Sequence, residues 1–121
     1  MMPDRSKDNV LVDLSFQFAL DIIQFSVEIK NAGFPDIARQ VIRSGTSLGA
    51  NSREAQNASS KADFFNKLKI AAKEAEETEY WLLICHESSL LPLPGKLKED
   101  IVVLLKILNK ILGSTARSLR N

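Results

Sequence analysis

The sequence predicts an all-α protein: an up-down-up-down antiparallel four-helix bundle, with residues 1–121 forming one domain. Three observations carry that prediction. Four stretches repeat apolar residues at spacings of three and four, the period of a helix that buries one face. The connections between them are short and rich in Gly, Pro, Asn and Ser, which makes consecutive helices antiparallel neighbours. No segment alternates with the period of two that a half-buried strand requires, and no internal repeat or low-complexity segment intervenes.

The first helix is expected over about residues 9–32. Leu14, Phe18, Ile22, Phe25 and Ile29 share one face, and Phe16, Leu20, Ile23 and Val27 form a second apolar row. One row suffices for a bundle core, so the second implies either deep enclosure or contact with another subunit. Gly33 ends this helix, because glycine accepts the left-handed conformation found at helix C-termini. Phe34-Pro35 starts the second, where proline's missing N–H does no harm.

The second helix, about 35–57, keeps an apolar stripe of Ile37, Val41, Leu48 and Ala55. Ser44, Gly45, Ser47, Gly49, Ala50 and Ser52 crowd its middle. An interior glycine costs about 1 kcal/mol against alanine, so these small residues imply a neighbouring helix that approaches closely. Gly45-x-x-x-Gly49 lacks the lysine of a phosphate-binding loop and follows no strand, so that site is excluded.

Asn57-Ala-Ser-Ser is the next turn, and Ser60 with Asp63 resembles a capping box. The third helix, about 61–89, carries Phe64, Leu68, Ala71, Ala75, Thr78, Leu82 and Cys85 inward. Leu91-Pro-Leu-Pro94 breaks the chain. The fourth helix, about 97–116, turns Leu97, Ile101, Leu104, Leu108, Ile111 and Leu112 inward, with Val103 and Ile107 as additional apolar surface. Residues 1–8 and 117–121 are expected to be flexible.

A chain of this length buries a core without staples. Its single cysteine, Cys85, leaves no internal disulfide framework and suits a reducing compartment. No signal peptide is visible, and no uninterrupted apolar run reaches the roughly 20 residues of a bilayer span. The expectation is a cytoplasmic protein with no membrane partner. Net charge is only +1, but it is unevenly spread. Residues 92–121 hold six cations against two acids, and residues 60–91 hold four against six.

No catalytic group, cofactor site or metal site emerges. A di-iron bundle needs Glu-x-x-His on two helices, whereas the only histidine is His86 and Leu83 stands three before it. Cys85 and His86 are adjacent, so on a helix they point about 100° apart and make no nucleophile–base pair. Two polar features remain. A seam of Arg43, Asn51, Glu54, Lys73, Glu74 and Glu77 lies between helices 2 and 3. Folding at residues 58–59 sets Arg43 opposite Glu74, Gln40 opposite Glu77, and Asn51 opposite Asn66 or Lys67, with the Arg43–Glu74 pair partly or wholly buried. Lys73 and Glu77 form an i, i+4 pair. Tyr80 and Trp81 are expected as bundle or interface anchors. The second feature is a basic stretch, Lys96, Lys98, Lys106, Lys110, Arg117 and Arg120, which supplies candidate nucleic-acid contacts.

Gly45-Thr-Ser-Leu-Gly-Ala-Asn-Ser-Arg-Glu-Ala-Gln56 and Lys67-Leu-Lys-Ile-Ala-Ala-Lys-Glu-Ala-Glu-Glu-Thr-Glu-Tyr-Trp-Leu82 resemble a known family. Its members are small four-helix-bundle proteins first noticed as products of intervening sequences inside 23S ribosomal RNA genes. Relatives include the accessory protein of diversity-generating retroelements. Arg-Glu-Ala after Asn51 and Lys-Glu-Ala-x-Glu-Thr in helix 3 carry the resemblance, and Ser52 departs from it. The resemblance implies a homopentamer, a ring of bundles around a central channel, and no settled activity. The expected function is a non-enzymatic oligomeric module binding RNA, DNA or a nucleic-acid-handling protein. A scaffold or protein–protein adaptor is the alternative.

Overall fold

The computed structural model describes residues 6–121, and four helices account for most of them: α1 (Ser6–Asn31), α2 (Pro35–Ala55), α3 (Lys61–Glu87) and α4 (Leu97–Arg120). α1 packs on α2, α2 on α3, α3 on α4, and α4 returns to α1. The backbones of the diagonal pairs, α1 with α3 and α2 with α4, do not come close among the described residues. This is the four-helix bundle that the sequence periodicity requires, with no strand among the described residues.

The helix ends differ from expectation by a few residues, for reasons local to each end. Residues 6–8 are already helical, while the rest of the expected flexible segment, 1–5, lies outside the described residues. α2 stops at Ala55 because the next amides turn to carbonyls three residues back, Gln56 to Arg53 and Asn57 to Glu54. α3 ends at Glu87, followed by Ser88 in an extended conformation. α4 runs on to Arg120, so residues 117–120 are helical rather than a loose tail. Two bonds support its last turns: Thr115 Oγ1 donates to the Ile111 carbonyl at 2.8 Å, and Lys61 Nζ donates to Ser118 Oγ at 2.5 Å.

Capping follows the sequence closely. Gly33 has φ +102°, its amide bonds the Lys30 carbonyl, and the Phe34 amide bonds the Ile29 carbonyl. That is a Schellman ending, with Phe34 folded back on the core. At α3, Ser60 Oγ accepts from the Asp63 amide at 3.0 Å. The reciprocal half of the box is displaced by one residue, since Asp63 Oδ2 accepts from the Ser59 amide, also at 3.0 Å. Lys67 adds an ion pair at 3.3 Å. The Ser59 amide first, and then Lys67, hold the Asp63 carboxyl below its ordinary pKa of 3.8.

The core is one cluster drawn from all four helices. Phe18, Ile22, Phe25 and Ile29 of α1 meet Val41, Leu48 and Ala55 of α2, Leu68, Ala75 and Leu82 of α3, and Ile101, Leu104 and Leu108 of α4. Burying each large aliphatic side chain contributes about 1.5–3 kcal/mol. Leu14, expected in this row, is exposed instead, and Leu11 and Ser15 take the inward positions. Leu11 falls about two helical turns before Phe18 and continues the row, whereas Leu14 lies on the α4 side at the edge of the buried face.

Five hydroxyls are interred in this core: Ser15, Ser26, Ser44, Ser52 and Thr78. Each donates to a carbonyl three or four residues back in its own helix. Every buried side-chain polar atom among the described residues has a partner. Serine is therefore a small residue here whose polarity is absorbed locally.

The small residues of α2 serve the close approach expected of them, and the neighbour is α1. A Cβ added at Gly45 would come within 2.7 Å of Ile22 Cγ2, and one at Gly49 within 3.2 Å of the Ser15 carbonyl oxygen. At Gly45 the space of a methyl group is already occupied by Ile22. On the α3 side, Ser44 and Thr78 allow a second close contact, their hydroxyl oxygens 2.9 Å apart.

The second apolar row of α1 faces outward. Phe16, Leu20, Ile23 and Val27 are 42–55% exposed. Being apolar on both faces, Val10–Asn31 is long and apolar enough to cross a membrane by length and composition. The count of uninterrupted apolar runs missed this because Asp13 and Asp21 break the run without lowering its average enough. In this bundle the inner face of that helix is core.

Two outcomes test this packing. Gly45→Ala should lower the melting temperature even though alanine is the better helix former. Gly113→Ala, whose added Cβ meets only Arg117 Nη1 at an ordinary 3.7 Å, should raise it, a gain of up to about 1 kcal/mol. Adding Ile22→Ala to Gly45→Ala should recover part of the Gly45→Ala loss in a double-mutant cycle.

A second expectation concerns acid. Because the folded state depresses the Asp63 pKa, its stabilising effect is complete above the unfolded value near 3.8 and fades as pH falls through the lower folded value. The stability gap between wild type and Asp63→Ala, measured by denaturant titration, should be constant from pH 7 to about pH 5 and narrow at lower pH.

Candidate functional site

The basic stretch of α4 divides into two sets. Lys106, Lys110 and Arg117 follow spacings of four and seven, so they share one face, and all three are exposed. Arg120, also exposed, closes the helix one turn later. Cations at this end suit the helix macrodipole, whose negative pole is the C-terminus. Lys61 joins them from α3, brought alongside by its bond to Ser118. Sequence spacing did not reveal Lys61, although an antiparallel α3–α4 pair necessarily sets the start of one helix beside the end of the other.

Lys96 and Lys98 stand apart from that cluster. They lie at the opposite end of α4, about 12–15 Å from Lys106 and about 30 Å from Arg117 by helical rise, and on other faces. Lys96 sits 3.9 Å from Asp100 and lines the α1–α4 side. Lys98 lines the groove between α3 and α4. Lys106, Lys110 and Arg117 therefore form one basic face, with Arg120 and Lys61 beside its C-terminal end.

The polar seam is real but smaller than expected. Arg43 reaches across from α2 and pairs with Glu74 at 3.2 Å and also with Glu77. Its Nε faces Gln40 Oε1 at 3.5 Å. Gln40 thus orients Arg43 and does not itself meet Glu77. Asn51 turns back on its own helix, donating to the Ser47 carbonyl at 2.8 Å, and Lys67 is engaged with Asp63. Lys73 and Glu54 are exposed and make no ion pair among the described residues; the Lys73–Glu77 pair does not form because Arg43 holds Glu77. Glu74 is mostly covered, but the Arg43 side chain is 49% exposed, so the network is half-solvated rather than buried. Beneath it lies Thr78, with Ser44 Oγ and the Glu74 carbonyl both in reach of its one hydroxyl proton.

The remaining reactive groups stay separate. Cys85 is buried, which pushes its thiol pKa upward, and His86 is exposed on a different face. No group of His, Cys, Asp and Glu among the described residues could hold a metal ion. Trp81 packs partly against the core, while Tyr80 is 62% exposed and touches Trp81 edge-on at 6.2 Å. Only Trp81 acts as a bundle anchor.

Comparison with known proteins places this geometry. The family model described as 23S rRNA-intervening sequence protein matches residues 7–110. Among solved structures, the chain is similar to a protein with unknown function from the S23 ribosomal protein family of Bacteroides thetaiotaomicron. The two are 41% identical with a TM-score of 0.82, the match covering 88% of this chain and 98% of the other. No curated protein matches the sequence.

The half-solvated seam sets the size of its effect. Exposed ion pairs contribute about 0.2–1 kcal/mol each, so Arg43→Ala, which removes two, should cost about 1 kcal/mol. Glu74→Ala should cost less, since Glu77 still holds Arg43. Both losses should shrink in 1 M NaCl, as measured by thermal melts.

Proposed function

This chain belongs to the family of 23S rRNA-intervening sequence proteins, and on that premise we propose that it is a non-enzymatic, homo-oligomeric helical module that binds RNA through the basic face of α4. The observation that carries the reading is the one-sided placement of charge. Lys106, Lys110, Arg117 and Arg120 are exposed together on a protein whose net charge is only +1. Charge kept on one face, without a high total, suits a local phosphate contact. One copy offers few such contacts. A ring, five copies in the form the resemblance implies, multiplies them on a single object, and linked weak contacts add in free energy.

The exposed row on α1 supports the oligomeric half of this reading. Isolated apolar residues on a surface are ordinary, but four along one helix are a contiguous patch of the kind that contacts between copies cover. The reading takes that row as a contact between chains in the cytoplasm, not as a bilayer surface. The same row also favours the second reading, a protein–protein scaffold with no nucleic-acid role.

Fluorescence anisotropy with a single-stranded RNA separates the two readings. Binding should weaken by more than about tenfold between 50 and 200 mM salt, as release of counterions from several phosphates requires. Lys106→Glu/Lys110→Glu should abolish it, and Lys96→Glu, at the far end of the helix, should leave it nearly unchanged. Absence of binding at 50 mM salt, or binding indifferent to the double substitution, would favour the scaffold.

A further inference from the structure

The C-terminal end of α4 does not stand alone. Lys61, Phe65 and Lys69 follow one another at spacings of four on α3, so they share a face, and each step rises about 6 Å. The bond from Lys61 Nζ to Ser118 Oγ turns that face towards α4. Because the two helices run antiparallel, equal rise sets Phe65 level with Ser114 and Lys69 level with Lys110.

Phe65 differs from its neighbour Phe64. Phe64 packs against the core cluster, whereas Phe65 is half-buried outside it, with the Lys69 ammonium 5.7 Å from the centre of its ring. At the same level α4 carries Gly113, Ser114 and Ala116, residues too small to cover a ring. A Cβ added at Gly113 would meet only Arg117 Nη1, at 3.7 Å, so the Arg117 guanidinium folds back over the glycine to the level of Phe65. No free acid opposes these cations. α4 has none after Asp100, and Asp63, the one acid between Lys61 and Lys73, is held by Lys67 and the Ser59 amide.

Resting on the RNA-binding reading above, we infer that the strand bound here is unpaired, and that one of its bases stacks on Phe65 while its phosphates lie against Lys69, Arg117 and the exposed lysines of α4. An aromatic ring set among cations is suited to single strands, because the charges follow the backbone and the ring accepts the face of any base. In a duplex the bases stack on one another, and their faces are closed to a side chain. Lys69 covers the ring only with the end of a flexible side chain, so its ammonium passes from ring to phosphate as a base arrives. Tyr80 is the more exposed aromatic, but it stands beside Glu76 and Glu79, which repel phosphate.

Stacking has a signature that phosphate contact alone does not share. The probes are fluorescein-labelled oligouridine and a fully paired RNA of the same length, read by anisotropy. Phe65→Leu, which keeps apolar bulk without a ring, should weaken oligouridine binding at least about fivefold and leave binding of the paired RNA unchanged. Its salt dependence should match that of wild type, since no charge is lost. Phe65→Trp should recover the affinity that Phe65→Leu loses. Oligouridine should also quench its emission by more than the change Trp81 gives in wild type. Circular dichroism checks both folds, and the tryptophan signal decides the matter if Phe65→Leu does not fold. Equal oligouridine affinity for wild type and Phe65→Leu, an equal loss on paired RNA, or an unquenched Phe65→Trp with RNA bound overturns the stacking and leaves the RNA reading intact. Absence of binding to either RNA at low salt overturns the RNA reading itself, and the stacking with it.

Discussion

The close approach of α1 to α2 at Gly45 and Gly49 is the constraint on which the rest of the bundle depends. With Ile22 where the Gly45 side chain would be, and the Ser15 carbonyl against Gly49, neither helix can slide or rotate without collision. Small residues cost helix propensity, and the sequence accepts that cost in the middle of α2. In exchange, the two backbones lock at one register. Ser44 repeats the device towards α3, where it meets Thr78. α2 is thus held on two sides through residues too small to pack in more than one way.

That lock decides what α1 can offer elsewhere. Its inner face is consumed by α2, α4 and the core, so the outward row of Phe16, Leu20, Ile23 and Val27 stays outside the core, about half exposed. Four apolar side chains kept on a solvent face are unfavourable for solubility unless something covers them. The half-solvated Arg43–Glu74–Glu77 network contrasts with this. It bridges α2 and α3 at the surface, where ion pairs fix register at little cost in desolvation. Apolar close packing sets one face of α2, and screened charge tidies another.

Much of this was legible in the sequence because the period of apolar residues reports which face is buried. The four helices, the inward stripes of α3 and α4, the Gly33 ending and the meaning of the α2 glycines all follow from it. What escaped depends on three-dimensional offsets that period alone does not carry. Leu14 and Leu11 differ by less than a quarter turn about the helix axis, and only the position of α4 decides which is core. Arg43 has two carboxylates in reach one turn apart, so pairing it with Glu74 alone missed Glu77's partner. The separation of Lys96 and Lys98 from the rest of the basic stretch is simple helical geometry, hidden when cations are counted by segment. Lys61 is a neighbour of α4 only after the chain has folded back.

The placement of the basic face relative to the outward apolar row of α1 gives the charge its meaning. On α4, Lys98, Val102 and Leu105 turn towards the groove, while Lys106, Lys110 and Arg117 occupy the solvent side between that groove and α1. Contact between copies through the outward row of α1, as proposed above, would therefore leave these lysines and arginines uncovered and repeat them on one side of the assembly. A single bundle with net charge +1 has little long-range attraction for phosphate. Several copies held in one orientation have a charged rim instead, and the field there is the sum of the copies. In the proposed assembly, electrostatics would follow from packing: contacts through the apolar row on α1 would set how many basic faces act together, while the seam and glycine lock keep each face in position.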